Sequence, residues 1–234
     1  MPDKLLKINI LSTINFLEWI RKTKCEKVVF SSSSETYAGA ISHYNEQIPT
    51  PETIPLCIED VFNPRFSYGG SKIIGELLMI NYAKKSNLTC KIIRYHNIYG
   101  PRMGYEHVIP EFCIRIIKKE NPFKIYGGNQ TRAFCYVDDA VRASIMIMEN
   151  SGNQTEIFHV GDENGEIAIE ALAEKLFYTA NFHPKVEKLL PPQGSVERRC
   201  PSTTKLKNLG FTPSVKIEEG LEKTFSWYKS NFKN

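Results

Sequence analysis

Apolar residues along the 234-residue chain recur with two different periods, and the switches between them outline the fold. From Asp3 to about Lys24, Leu6, Ile10, Ile14 and Leu17 return every three or four positions, with Phe16 and Ile20 widening the stripe. That spacing predicts an amphipathic helix with Asp3 as its N-cap. Glu26 to Ser32 instead holds the unbroken run Val28-Val29-Phe30, closed by four serines, Glu35, Thr36 and Tyr37. A short apolar run ending in polar groups predicts a buried parallel strand whose carboxyl end opens into a crevice. Thr36 to Ser67 is polar and carries Pro49, Pro51, Pro55 and Pro64, which predicts a long loop, either functional or disordered. Helical spacing returns from Tyr68 to about Asn87 through Ile73, Leu77, Ile80 and Ala83, and Thr89 to Tyr95 reads as a second buried strand. Beyond a turn-rich stretch, His96 to Glu106, the pattern predicts a helix to about Glu120 and short strands at Pro122–Tyr126 and Ala133–Val137. It continues with a helix capped by Asp138-Asp139, a strand at Thr155–Val160, a helix over Ile167–Thr179 and a closing helix from Ile217 to Tyr228. Strands alternating with helices define an α/β chain with a parallel sheet.

The chemistry gathers where the first strand ends and the second helix begins. Tyr68 and Lys72 stand four apart, so their side chains share one helical face. An ammonium beside a phenol favours the phenolate and is expected to lower the Tyr68 pKa. Such a tyrosine can take a proton from a sugar hydroxyl while hydride leaves the same carbon, with a serine hydroxyl from the strand end sharing the hydrogen bond. The pair alone is weak: about one such match is expected by chance in a chain with this many tyrosines and lysines.

Four stretches in order make the pattern specific. These are Ser31-Ser32-Ser33-Ser34-Glu35-Thr36-Tyr37 after an apolar strand, Tyr68-x-x-x-Lys72, Arg94-Tyr95-His96-Asn97-Ile98-Tyr99-Gly100-Pro101-Arg102, and Gly127-Gly128-Asn129-Gln130-Thr131-Arg132 running on to Asp138-Asp139. Together they resemble the extended short-chain dehydrogenase/reductases, specifically the NAD-dependent nucleotide-sugar epimerases, dehydratases and decarboxylases, from near Asn9 to near Tyr228. The resemblance implies a partial doubly wound, Rossmann-like parallel sheet with a smaller C-terminal substrate-binding lobe. Residues 1–100 would be the C-terminal portion of an NAD-binding domain, and residues 101–234 mainly the lobe for a nucleotide-diphosphate sugar, with returning Rossmann elements. It implies Tyr68 as the base, Lys72 as its electrostatic partner and Ser33 as the hydroxyl completing the proton path, with Glu35 beside them. Ser31, Tyr68 and Lys72 would touch NAD, Asn97 would reach the substrate diphosphate, and Arg132 would pair with phosphate through its planar fork. Asn9 and Thr13 stand where the family has Asn-x-x-x-Thr. Two carboxyl-bearing residues, Asp-Glu, follow the serine or threonine in the resembling dehydratases; here Ser34 and Glu35 follow Ser33. Epimerase or decarboxylase chemistry through transient oxidation at sugar C4 is therefore expected ahead of dehydration.

Composition narrows the classes without adding chemistry. The chain is 41% hydrophobic and 24% charged with a net charge of +4, ordinary for a globular protein and compatible with an anionic small molecule. Its basic residues are too scattered for nucleic acid. No apolar stretch reaches membrane-spanning length. Six cysteines with no metal-ligand spacing predict buried thiols, no metal and a cytoplasmic setting. A homodimer is expected of a complete version.

One part of the family's pattern has no counterpart in these residues. The strand, Gly-x-x-Gly-x-x-Gly turn and helix that hold the NAD pyrophosphate are absent from the sequence. The expectation is a truncated enzyme or, as the alternative, a catalytically inactive fragment or binding protein that retains the fold.

Overall fold

The computed structural model describes residues 1–44, 47–86, 88–150, 152–192 and 195–232. In chain order its elements are α1 (Pro2–Ile20), β1 (Lys27–Ser33), α2 (Ala38–Tyr44), α3 (Phe66–Lys85), β2 (Thr89–Tyr95), β3 (Ile98–Tyr99), α4 (Val108–Ile117), β4 (Phe123–Tyr126) and β5 (Thr131–Ala133). They continue with β6 (Cys135–Tyr136), α5 (Val137–Asn150), β7 (Glu156–Val160), β8 (Glu166–Ala168), α6 (Ile169–Ala180), β9 (Val186–Leu189), β10 (Arg198–Arg199), α7 (Thr204–Asn208) and α8 (Ile217–Asn231). The chain divides into two compact units, both discontinuous in sequence.

The first unit comprises Met1–His96, Val141–Val160 and Pro201–Thr212. Its centre is a parallel sheet in the order β1-β2-β7, with Ser33 opposite Tyr95 and Tyr95 opposite Val160. Cys90, Ile92 and Ile93 of β2 are fully buried, as the continuous apolar run requires. Leu17 and Ile20 of α1 and Met79 and Ala83 of α3 close over Val28, Cys90 and Ile92. Each such large apolar side chain contributes about 1.5–3 kcal/mol by leaving water. The N-cap of α1 falls two residues earlier than its pattern suggests: Met1 is the N-cap and Pro2 opens the helix. Proline suits that first turn because its missing N–H has no helical partner there, and Asp3 then complements the helix dipole. Asn87, where the sequence reading ends α3, lies outside the described residues.

The second unit comprises Asn97–Ala140, Gly161–Cys200 and Pro213–Asn234. Here β5 pairs parallel with β10 and antiparallel with β8, while β3–β6 and β4–β9 form two-stranded parallel pairs. The α4, α6 and α8 helices bury a core that includes Phe112, Phe123, Leu172, Leu176, Leu221 and Tyr228. Two local expectations change. Ile167 and Ala168 belong to β8 rather than to α6, because pairing with Thr131 and Arg132 outweighs their fit to the helical stripe. Asp139 does not serve as a cap: buried in the first turn of α5, it accepts hydrogen bonds from the backbone N–H groups of Ser214 and Val215 and from the Ser214 hydroxyl.

Candidate active site

The carboxyl end of β1 and the first two turns of α3 bring Ser31, Ser33, Glu35, Tyr68 and Lys72 together in the first unit. Ser33 ends the strand and turns the chain: its Oγ accepts from the Glu35 N–H at 3.2 Å, capping the short 3-10 turn Ser34–Tyr37. Tyr68 lies in the first turn of α3 and Lys72 one turn on. The Lys72 ammonium donates to the Ser31 carbonyl at 2.8 Å and stands 5.6 Å from the centre of the Tyr68 ring. The helix can come this close because of two glycines. A β-carbon at Gly69 would stand 2.5 Å from the Glu35 carbonyl oxygen, and one at Gly75 would enter the Phe30 ring.

The electrostatics correct the sequence reading of Tyr68. Its pKa is raised, not lowered: burial of the phenol is the largest cause, the Ser33 hydrogen bond opposes it, and the Glu35 carboxylate adds to it. Burial acts on the partner too: desolvation lowers the Lys72 pKa from its ordinary value. In this arrangement Tyr68 is a protonated phenol.

Asn97 and Arg132 belong to the second unit. Asn97 takes a left-handed backbone (φ 40°), which asparagine tolerates, and its side-chain amide donates to the Ala133 carbonyl at 3.3 Å. The Arg132 guanidinium donates to the carbonyls of Thr131 at 2.7 Å and Glu197 at 3.3 Å. Arg198, another arginine of this unit, forms a two-pronged pair with Glu166 at 2.7 and 2.8 Å. That pair holds the Glu166 carboxyl down to about 2.

Several supporting residues carried no role from sequence alone. Asn9 donates to the Ser71 hydroxyl at 2.9 Å, which donates to the Tyr68 carbonyl at 2.7 Å, so α1 steadies the helix turn that presents the phenol. Behind the strand ends, the buried Tyr37 hydroxyl meets His96 Nε2 at 2.8 Å, and the His96 ring lies 4.7 Å from that of His159. Burial, then the Arg94 charge, pushes the His159 pKa down to about 3, so it stays neutral. His159 sits in an apolar strand pattern, and nothing in its neighbours along the chain marks it.

Residues 1–161 match the model of the NAD dependent epimerase/dehydratase family. The chain belongs to that family. Among curated relatives it is 34% identical over 237 residues to a UDP-N-acetyl-alpha-D-glucosaminuronate decarboxylase of Bacillus cytotoxicus, covering 97% of this chain and 70% of that protein. It is 32% identical over 225 residues to a UDP-glucuronate 4-epimerase of Thermodesulfobacterium geofontis, covering 95% of this chain and 65% of the relative. Among solved structures, the Thermotoga maritima UDP-glucose 4-epimerase with UDP-glucose matches with a TM-score of 0.85 at 29% identity, over 100% of this chain and 73% of that one. The chain thus spans about two thirds to three quarters of the proteins it matches.

NAD is the family's cofactor. The residues described fit one end of it: Lys72 engages one of its three ammonium donors on Ser31 and shares a helix face with a hydroxyl-bearing ring. For the pyrophosphate end they provide no glycine-rich turn between a strand and a helix. Gly69-Gly70 lies inside α3, and Gly127-Gly128 follows β4.

Proposed function

We propose that this chain carries the proton-transfer site of a nucleotide-sugar epimerase or decarboxylase acting at sugar C4. Oxidation there separates a hydride from carbon and a proton from the hydroxyl. NAD supplies the hydride acceptor, and the chain's own residues handle the proton. Tyr68 exchanges it with the C4 oxygen, Ser33 shares the phenol's hydrogen bond, and Lys72 stands beside the ring as the positive charge. Ser31, Tyr68 and Lys72 hold the sugar-like end of the cofactor, while Asn97 and Arg132 face the nucleotide diphosphate. Residues 1–100 then serve the cofactor and 101–234 mainly the substrate. The observation that carries this reading is that Lys72, beside the Tyr68 ring, donates to Ser31 at the strand end that Ser33 closes. Ser34-Glu35 in place of Asp-Glu supports epimerisation or decarboxylation ahead of dehydration.

The test incubates the purified chain with NAD and either UDP-glucose or UDP-glucuronate and follows products by proton NMR. Turnover that Tyr68→Phe lowers about 10²–10⁴-fold, with sugar-nucleotide affinity unchanged, supports the assignment. A mutant keeping most of its activity removes Tyr68 from the site, and release of a 4-keto-6-deoxy sugar reverses the order of chemistries. A second reading is a binding protein without catalysis, which predicts calorimetric binding of the nucleotide sugar and no product. The same proposal extends to setting and assembly. We place the chain in the cytoplasm: among the described residues no disulfide forms and no helix is long and apolar enough to cross a membrane. Exposed Leu11, Trp19 and Leu77 on α1 and α3 support a homodimer through this pair of helices, which sedimentation of Leu77→Glu against the parent would dissolve or disprove.

A further inference from the structure

Glu76 has a carboxylate 2% exposed in the middle of α3, a position where an unpaired charge would cost far more than a helix surface residue is worth. Its two oxygens are fully engaged. Oε1 accepts from the Ser32 hydroxyl at 2.6 Å and from Arg94 Nε at 2.9 Å, and Oε2 accepts from Arg94 Nη2 at 2.7 Å. Arg94 is equally buried and sends its remaining arm to the Glu52 carbonyl at 3.0 Å. Ser32 and Arg94 are direct partners in the β1–β2 ladder. One carboxylate from α3 therefore bridges facing residues of two strands.

The location gives this bridge its meaning. Glu76 lies one helical turn after Lys72, and Ser32 lies between Ser31 and Ser33. The helix thus grips consecutive strand residues twice: Lys72 takes the Ser31 carbonyl and Glu76 takes the Ser32 side chain. Ser33, the next residue, caps the following turn, whose Glu35 carbonyl lies against Gly69 next to Tyr68. On its far side β1 has no strand partner among the described residues, so the ladder with β2, which runs to Ser33 and Tyr95, holds its end from one side.

We propose that Glu76, braced by Arg94, is a positioning residue: through Ser32 it fixes the end of β1, and with it the Ser33-capped turn that lies against Gly69 beside Tyr68. The inference rests on Tyr68 being the proton-transfer group, but its readouts report position and not turnover, so the two can fail separately. The experiment uses the purified chain with ¹³C-labelled tyrosine, the Tyr68 ring signal being assigned by its loss in Tyr68→Phe. Ser32→Ala removes one small hydroxyl and leaves the Arg94–Glu76 pair intact. It is expected to shift the Tyr68 ring-carbon resonance and to speed amide exchange at Glu35 at least about tenfold, and Ser32→Thr is expected to restore both. Glu76→Gln should reproduce the Ser32→Ala shifts where it folds; the serine variants decide the matter where it does not. A lowered thermal midpoint in Ser32→Ala with the Tyr68 resonance and the Glu35 amide unchanged would make the bridge an ordinary structural brace and overturn the proposal.

Discussion

Strands of seven, seven and five residues support the unit that carries Tyr68, whereas the unit that carries Arg132 is assembled from strands of two to four. Long parallel strands fix their ends by a continuous ladder, so side chains there can be committed to one another. Ser32, Glu76 and Arg94 are committed in this way, and so are Tyr37 and His96. Short strands cannot supply that rigidity. In the second unit polar side chains stitch the backbone itself: Arg132 to Thr131 and Glu197, Asn97 to Ala133, Asp139 to Ser214 and Val215. The same residue type thus has different work in the two units. A buried arginine paired with a carboxylate holds strands together, while a half-exposed one bonded to carbonyls shapes a turn.

Substituting those two arginines tests the contrast most strongly. Arg94→Met strands the Glu76 carboxylate in the interior, and removing one partner of a buried ion pair costs about 3–5 kcal/mol. Arg132→Met loses hydrogen bonds to the Thr131 and Glu197 carbonyls at a partly exposed site, each worth about 0.5–1.5 kcal/mol. Urea unfolding of both variants measures the gap; equal losses would erase the distinction. The next effect probes how closely the helix and strand end fit. Gly69→Ala drives a methyl against the Glu35 carbonyl, a backbone atom that cannot swing away, and overpacking of this kind costs about 1–3 kcal/mol. Thermal denaturation of Gly69→Ala beside Gly152→Ala separates crowding from glycine flexibility, because Gly152 has nothing within 4 Å of the added carbon. Gly152 also has a positive φ, so it reports backbone strain alone.

The smallest effect is in pH. His159 titrates at about 3 when folded against an ordinary 6.5, so the unfolded chain binds the proton first as pH falls. Its contribution is fully present above pH 6.5 and is lost on acidification toward pH 3, at up to ~1.4 kcal/mol per pH unit. Glu166, held at about 2 against 4.5, adds its own loss only below that ordinary value. Urea midpoints measured from pH 7 to 5.5 should therefore fall by about 1 kcal/mol or slightly more in free energy, and His159→Asn should flatten the slope. A parent chain with no slope in this window would show that His159 is not held neutral.

Sequence made the first unit legible for a physical reason. Val28-Val29-Phe30 and Cys90 to Ile93 bury both faces of a strand, and Tyr68 and Lys72 need only the helical period to share a face. Partnerships set by tertiary contact were not readable. The stretch read as an extended loop from Thr36 to Ser67 contains α2 and buries Tyr37, Ala40, Ile41 and Ile54, because it folds back on the sheet rather than obeying a period. The Tyr68 pKa went astray in the same way: spacing reveals the ammonium, but only packing reveals how much water the phenol has lost. Two-residue strands such as β3 and β6 are too short to leave any alternation. Asn97 and Arg132 were recognisable by motif, yet their hydrogen bonds to backbone depend on neighbours distant in sequence.

The flank of β1 that has no strand partner among the described residues also changes what a melting experiment on this protein reports. A ladder edge that recruits another strand links folding to a second-order event, so the midpoint of a heat scan becomes a function of how much protein is in the cell. A midpoint that climbs with concentration and is independent of scan rate would describe reversible assembly through an ordered partner. One that drops with concentration and drifts with scan rate would describe irreversible capture of opened chains, and the half-life at temperature, rather than a free energy, would then be the quantity to compare between variants.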